Sequence, residues 1–379
     1  MDPNDRSAGI SRRRLLQSLA MAGAAAALPR AFAAPAPSSS PPRRLGVALA
    51  GLGGYSRDLL APALQLTRHC RLAGIVTGSP HKVPEWQARH GIPDANVYGY
   101  DDLHRIADNP AIDVVYVVTP NHLHMPLTRT VANAGKHVWC EKPMAMDAAE
   151  GEAMVRACRD NRVRLAIGYR MQHEPNTRRF MAMAQERPFG RIVKLRADAG
   201  WFGWRQGADD AWRLDPARGG GAMYDMGVYC VNAARYGTGL EPVAVRAWDE
   251  TARRDIFRGV DETMRFRLEF PGDIVAECVT SFGRNLNTLQ VDCERGWYAL
   301  SPFQAYDGNV GRASDGTVFP ATLGEKPRMQ AEQMDQDALA ILGGTPLRAP
   351  GEEGVRDMRV LDAVFASARS GNVVVRIPD

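Results

Sequence analysis

The stretch Leu45-Gly46-Val47-Ala48-Leu49-Ala50-Gly51-Leu52-Gly53-Gly54-Tyr55-Ser56 is an apolar run that passes directly into a glycine turn. The run reads as a buried parallel strand. The turn has the form G-x-G-x-x-S. Gly51 permits the tight reversal, Gly53 lets a pyrophosphate approach the backbone, and Ser56 keeps the next helix close to the sheet. A helix predicted from about Asp58 to His69 aims its amino end at such phosphates. Glycine turns alone are common. A strand before this one and a helix after it make a dinucleotide-binding unit.

Further units follow. Leu72-Ala73-Gly74-Ile75-Val76 is a second strand, ending at Thr77-Gly78-Ser79-Pro80-His81-Lys82. An NAD-selective site would place an acid near this strand end to accept the ribose hydroxyl; here a hydroxyl residue is followed by Lys82, which can pair with a 2'-phosphate. NADP is therefore expected, the alternative being that Lys82 only opens a solvated helix. Val114-Val115-Tyr116-Val117-Val118 is a third strand, leading into Thr119-Pro120-Asn121-His122-Leu123-His124 and a helix over about 126–134. His122 and His124 lack a companion set of acids and histidines, so no metal site is predicted, and the loop is placed against the cofactor. Polar loops at successive strand ends predict a doubly wound sheet.

His137-Val138-Trp139-Cys140 is the next strand and delivers Glu141-Lys142-Pro143 to the same edge, before a helix starting near Asp147. A lysine at a strand's carboxyl end faces the crevice where ligands bind. Position alone also fits a solvated surface lysine.

Beyond Ala166-Ile167-Gly168-Tyr169-Arg170 the pattern changes. A helical stretch near 174–185 precedes strand-like runs at 192–199, 243–248, 263–269, 274–280 and 288–293. Met264-Arg265-Phe266-Arg267-Leu268-Glu269-Phe270 alternates as a half-buried antiparallel strand does. Among these runs lies Gly219-Gly220-Gly221-Ala222-Met223-Tyr224-Asp225-Met226-Gly227-Val228-Tyr229. A glycine run opening a helix permits close approach to a ligand, and Asp225 and Tyr229, four apart, share a helix face. A phenol can pass a proton while a carboxylate orients a substrate hydroxyl. The alternative is a core tyrosine bonded to a local acid.

The amino terminus reads as a targeting signal. Arg12-Arg13-Arg14 leads into an alanine-rich apolar run to Leu28 and a small-x-small pattern, Ala31-Phe32-Ala33. The paired arginines Arg12 and Arg13 mark the twin-arginine route, which carries folded proteins into the periplasm. An uncleaved anchor is the alternative, but the run is shorter than the roughly 20 residues of a spanning helix. Residues 34–44 form a Pro/Ser-rich arm unable to bury enough apolar surface to fold alone. The six cysteines, without CxxC pairing, point to free, mostly buried thiols, not to zinc or a disulfide framework. A net charge of +4, partly from the signal arginines, gives no reason to propose nucleic acid as a partner. The roughly 340 residues after the signal suit two domains. The prediction is an α/β Rossmann dinucleotide-binding domain over 45–167 and, over 168–379, an α+β domain with a large, mostly antiparallel open sheet.

The glycine turn, the Thr-Pro-Asn-x-x-His loop and above all Ala134-Gly135-Lys136-His137-Val138-Trp139-Cys140-Glu141-Lys142-Pro143 resemble the glucose-fructose oxidoreductase and inositol dehydrogenase family over nearly the whole mature chain. Many members similar to inositol dehydrogenase carry histidine where Tyr229 stands. Tyr229, Trp212-Arg213 and Arg170 are more similar to the periplasmic glucose-fructose and aldose-aldose oxidoreductases. The resemblance implies Lys142, Asp225 and Tyr229 as the catalytic group. It implies Gly51, Leu52, Gly53, Gly54, Tyr55, Thr77, Gly78, Lys82, Tyr100, Thr119, Asn121, His124, Glu141, Lys142, Arg170, Trp212 and Arg213 around the cofactor, with Tyr306 a weaker candidate in the pocket. It further implies tightly bound, recycled NADP, oxidation of an aldose at C1 to an aldonolactone, reduction of a second sugar, and a homo-oligomer formed through the C-terminal sheet. The competing expectations are an exported glycoside hydrolase using bound NAD, a sugar or polyol dehydrogenase with exchangeable cofactor, and a sugar-binding protein with a vestigial fold.

Overall fold

The computed structural model describes residues 43–203 and 211–378; the predicted signal and nearly all of the arm lie outside them. Two sheets organise the chain. The first contains β1 (Leu45–Ala50), β2 (Cys70–Val76), β3 (Val97–Tyr98), β4 (Val114–Val117), β5 (His137–Cys140) and β6 (Leu165–Ile167). They are ordered β3-β2-β1-β4-β5-β6, every neighbouring pair parallel. The order reverses between β1 and β4, which opens a crevice at the carboxyl ends of those strands.

Every residue of β1 is buried, as expected for a strand covered on both faces. Leu45, Val47 and Leu49 point to one side with Tyr116 and Trp139; Ala48 and Ala50 point to the other with Val115, Val117 and Cys140. The first side is covered by the helix Ala61–Leu66 and also by the much later helix Arg328–Gly343, through Ala331, Met334 and Ala338. That later helix is fastened by Asp335, whose carboxylate accepts from the main-chain N–H of Arg68 at 2.9 Å and of His69 at 2.8 Å. Sequence after residue 168 thus completes the first sheet's cover.

The second sheet has nine strands: β7 (Ile192–Gly200), β8 (Ala244–Asp249), β9 (Thr263–Phe270), β10 (Ile274–Ser281), β11 (Leu286–Cys293), β12 (Gly296–Leu300), β13 (Gly311–Ala313), β14 (Val318–Phe319) and β15 (Val375–Arg376). The order is β14-β13-β12-β11-β7-β10-β9-β8-β15, antiparallel throughout except for the β7–β10 pair. In β9, Met264, Phe266, Leu268 and Phe270 are buried while Arg267 and Glu269 are exposed, the alternation of a sheet with one packed face. The packed face receives the helix Val228–Thr238, all of whose residues are buried. Gly237 lets it sit close, since a Cβ there would lie 2.7 Å from the Leu195 side chain.

None of the six cysteines is paired, and all but Cys293 are buried. Sequence reasoning missed β3, β6 and β12 to β15, which are short strands held by pairing and carry little local pattern.

Candidate active site

The cleft lies where strand order reverses and has a volume of about 810 Å³. Its floor is the glycine turn. Gly51 adopts φ +100°, and a Cβ there would fall 2.4 Å from the Val118 carbonyl oxygen, so glycine is required. Ser56 donates its hydroxyl to the Gly51 carbonyl oxygen at 2.6 Å and ties the helix start to the turn. At Gly53 a Cβ would meet nothing within 4 Å, leaving the backbone open to a phosphate.

The β2 end supplies Thr77, Ser79 and Lys82 to the same cleft, and Lys82 Nζ donates to the Leu52 carbonyl oxygen at 3.1 Å. Among the described lining residues the only acids are Glu141 and Asp225, neither on this strand end. Among the described residues, this strand end presents a hydroxyl residue, Thr77, and an ammonium, Lys82, to the cleft, and no carboxylate.

The opposite end brings three elements together. Lys142, on the turn after β5, reaches the wide helical turn Met223–Gly227, where its Nζ donates to the Asp225 carbonyl oxygen at 2.7 Å and stands 3.4 Å from the Asp225 carboxylate. Arg213 Nε holds the other Asp225 oxygen at 3.2 Å. Burial pushes the Asp225 carboxyl upward, but Arg213 and Lys142 outweigh it and leave its pKa at about 2. Burial alone would lower Lys142; the Tyr229 oxygen, Asp225 and Glu141 reverse that, so the ammonium keeps its proton. The Lys142 Nζ lies 4.7 Å from the centre of the Tyr229 ring, and Arg170 Cζ lies 5.3 Å from it. Arg170 also spans to the loop after β12: it donates to the carbonyls of Gln304 and Ala305 and lies 4.5 Å from the Tyr306 ring.

The turn carrying Asp225 is fixed from behind. Asp261 accepts from the Met223 N–H at 2.7 Å through its carboxylate and from the Ala222 N–H at 3.0 Å through its carbonyl. Gly221, φ +104°, leaves room for this acid, because a Cβ would sit 2.3 Å from Asp261 Oδ1.

Gly51, Leu52, Gly53, Gly54, Tyr55, Thr77, Lys82, Tyr100, Thr119, Asn121, Glu141, Lys142, Arg170, Trp212, Arg213, Asp225, Tyr229 and Tyr306 all line this one cleft. Gly78 and His124 do not. Gly78 backs the Tyr100 ring, with 2.8 Å between its would-be Cβ and a ring carbon. His124 is buried between the Thr119 and Pro143 carbonyl oxygens, each 2.9 Å from a ring nitrogen. Burial lowers its pKa to about 4 against the opposing pull of the two carbonyls, and the ring braces the two loops. Asn121 donates to the Gly219 carbonyl oxygen at 2.8 Å and joins the first domain's loop to the glycine run. Trp201, Gln304 and Ala305 also line the cleft and were missed. Trp201 follows the end of β7, and only the pairing of that strand brings it here. Among the described residues no cluster of three His, Cys, Asp or Glu is placed to hold a metal.

Comparison with known proteins gives the family. Residues 45–169 match the model described as oxidoreductase family, NAD-binding Rossmann fold, and residues 177–299 match the GFO/IDH/MocA C-terminal domain. The chain belongs to the Gfo/Idh/MocA oxidoreductase family. Similar Gfo/Idh/MocA members include D-xylose 1-dehydrogenase [NADP(+)] of Haloarcula marismortui, 29% identical over 86% of this chain and 92% of that one. D-xylose 1-dehydrogenase (NADP(+)) 2 of Haloferax volcanii is 32% identical over 86% of this chain and 97% of its own. Among solved structures, aldose-aldose oxidoreductase from Caulobacter crescentus, complexed with glycerol, superposes with a TM-score of 0.82 at 37% identity, covering 88% of this chain and 100% of that chain. The resemblance seen in the Glu141-Lys142-Pro143 turn is thereby shown as membership.

Proposed function

We propose that this protein is an NADP-containing sugar oxidoreductase that oxidises an aldose at C1 to an aldonolactone and reduces a second sugar with the retained nucleotide. The observation that carries the reading is the convergence of Lys142, Asp225 and Tyr229 in the cleft whose other end is the Gly51–Ser56 turn. The NADP-dependent xylose dehydrogenases and the aldose-aldose oxidoreductase among its relatives support it. The open backbone at Gly53, and Thr77, Ser79 and Lys82 without a neighbouring carboxylate, fit a nucleotide bearing a 2'-phosphate.

A nicotinamide nucleotide held by the glycine turn and Lys82 would supply the hydride acceptor of the first half of the cycle and the donor of the second. The protein handles the proton. Tyr229 takes the proton of the anomeric hydroxyl as C1 loses its hydride, so the sugar gives up two hydrogens and becomes the lactone. Lys142 stabilises charge on the reacting oxygen, and Asp225, gripped by Lys142 and Arg213, fixes where that ammonium stands. In the return half the second sugar's carbonyl carbon gains the hydride and its oxygen the proton from Tyr229. Arg170 holds the Gln304–Tyr306 segment as one wall of the site.

The Arg12-Arg13 signal and the Ala31-Phe32-Ala33 pattern support export by the twin-arginine route and action in the periplasm. Free NADP is not expected there, so the nucleotide has to be retained and recycled, and the arm at 34–44 is proposed to help retain it. A homo-oligomer through the open sheet face remains part of the proposal. The dehydrogenase names of the Haloarcula and Haloferax relatives favour one second reading, a sugar dehydrogenase whose NADP exchanges with solution. The test is to purify the exported form without added cofactor, denature it and identify the released nucleotide. The intact protein is then followed for reduction of the bound nucleotide by aldoses and its reoxidation by aldoses or ketoses. Reduction by an aldose with no reoxidation by any sugar, or nucleotide-free protein that oxidises an aldose only when NADP is added, selects the second reading, and no sugar oxidation even with added NADP overturns both.

A further inference from the structure

Glu141, beside the catalytic lysine, has no part in moving the proton, yet it is embedded in a one-way chain of hydrogen bonds. It is 9% exposed and lines the cleft. Its Oε1 accepts from the Tyr116 hydroxyl at 2.6 Å, and its Oε2 accepts from the Lys142 N–H at 3.3 Å. Tyr116 is fully buried on β4 and in turn accepts at 3.1 Å from Nε2 of Gln333, itself 1% exposed on the helix Arg328–Gly343. An amide N–H can only donate, which fixes the direction: Gln333 to Tyr116, Tyr116 to Glu141. Hydrogen bonds linked in this sense polarise one another, and the acceptor at the end is best served by an ionised carboxylate, which only accepts.

The surroundings are shaped to this carboxylate. A Cβ on Gly168 would lie 2.6 Å from Glu141 Oε1, so glycine leaves the space the carboxylate occupies. The ionisable groups facing Glu141 are Lys142 beside it, Arg170 from beyond β6, Tyr55 from the glycine turn, Tyr116 from β4 and Cys140 on its own strand. Burial raises the Glu141 pKa above the ordinary carboxylate range, and the Tyr116 hydrogen bond and the Lys142 and Arg170 cations limit that rise. Gln333 lies beyond both family-matched segments, so no motif in either announces it.

We propose that Tyr116 and Gln333 are positioning residues that keep Glu141 as an anionic wall of the cleft, and that this anion favours the oxidised, cationic nicotinamide over the reduced, neutral one. The inference rests on the NADP reading above. A buried negative charge lowers the energy of a nearby cation and leaves a neutral ring unaffected, so it sets how readily the bound nucleotide gives up its hydride. The chain would then balance the oxidative half of the cycle against the reductive half from a position that touches neither sugar.

The readout is the midpoint potential of the bound nucleotide, obtained by mediated redox titration of the purified holoprotein with the absorbance of reduced nicotinamide as signal. Glu141→Gln is expected to shift the oxidised-to-reduced ratio at fixed potential by about tenfold toward the reduced form, a rise of about 30 mV for a two-electron couple. Tyr116→Phe should move it the same way by part of that amount, Gln333→Met by less, and Tyr116→Phe should add nothing in the Glu141→Gln background. The Tyr116→Phe change removes one oxygen, and Glu141→Gln preserves shape, so loss of fold in one leaves the other to decide. An unchanged potential in whichever of these two variants folds overturns the inference while the functional reading stands. Purified protein holding no nicotinamide nucleotide overturns both.

Discussion

Lys142 Nζ donates to the main-chain carbonyl of Asp225 at 2.7 Å, across a sequence separation of 83 residues. This contact joins the turn after β5 to the helical turn beneath Tyr229, and it makes the ammonium part of both domains. Removing it leaves the buried Asp225 carboxylate held by Arg213 Nε at 3.2 Å. Lys142→Ala is expected to lower sugar oxidation and nucleotide reoxidation together, by about 10²–10³-fold each. Stopped-flow measurement of the two half-reactions, with nucleotide content assayed after denaturation, checks this; the nucleotide should remain bound.

Tyr229→Phe keeps the ring that Lys142 and Arg170 flank and deletes only the hydroxyl proposed to carry the proton. The turnover rate should fall about 10²–10⁴-fold while the sugar KM changes little, since the lost interaction acts mainly in the transition state. A large rise in KM with turnover preserved would show that the phenol binds sugar without moving the proton.

Two buried acids in the same turn system give opposite pH signatures. Asp225, at about 2, lies below the unfolded value of roughly 3.9, so its contribution to stability is full above the unfolded value and is lost as pH falls through about 2. Asp261 is raised to about 7 by burial, so its contribution is full below the unfolded value and is lost as pH rises through about 7. Asp261→Asn keeps an oxygen to accept from Met223 and removes the buried charge. Its urea midpoint should exceed that of the parent at pH 8, by an equivalent of about 2–4 kcal/mol, with the advantage vanishing near pH 4. Equal midpoints at pH 8 would refute the assignment.

Lys82 stands over the glycine turn, its ammonium on the Leu52 carbonyl. If it also meets a 2'-phosphate, Lys82→Ala should weaken NADP binding about tenfold or more and leave NAD binding within about twofold. Isothermal titration of nucleotide-free protein with each nucleotide distinguishes this from a general loss of phosphate affinity.

Deletion of residues 34–43 tests the arm. The shortened protein should lose NADP on prolonged dialysis at a rate the full-length exported form does not show. Full retention by the shortened protein sinks the proposal that the arm covers the cofactor.

The chain's local chemistry carried most of the architecture. Leu45–Ala50 before Gly51-Leu52-Gly53-Gly54-Tyr55-Ser56 determined a parallel strand, a turn and a helix, because a continuous apolar run requires cover on both faces and Gly51 requires a positive φ. The alternation of Met264–Phe270 determined a sheet with one packed face. Lys142 was legible as a candidate from its place at a strand's carboxyl end, and Asp225 and Tyr229 from the glycine run before them and their spacing of four on one helix face.

Their assembly was not local. The 2.7 Å contact of Lys142 with Asp225, the bracing of that turn by Asp261, and the fold-back of Arg328–Gly343 onto the first sheet depend on which strands pair and which helix faces meet. Gln333 is the plainest case: in sequence it is one amide in a helix, 217 positions from Tyr116, and no periodicity marks its partner. His124 shows the reverse, a residue whose type invites a role at the cofactor and which packing turns into a brace between two loops. Sequence by itself determined the inner strands of the two sheets and the groups able to do chemistry, since propensity and patterning act over a few residues, while the short outer strands exist only through pairing. The tertiary structure decided which of those groups share one cleft and that Asp225 stays charged there, since burial and long-range hydrogen bonds exist only once the chain has closed on itself.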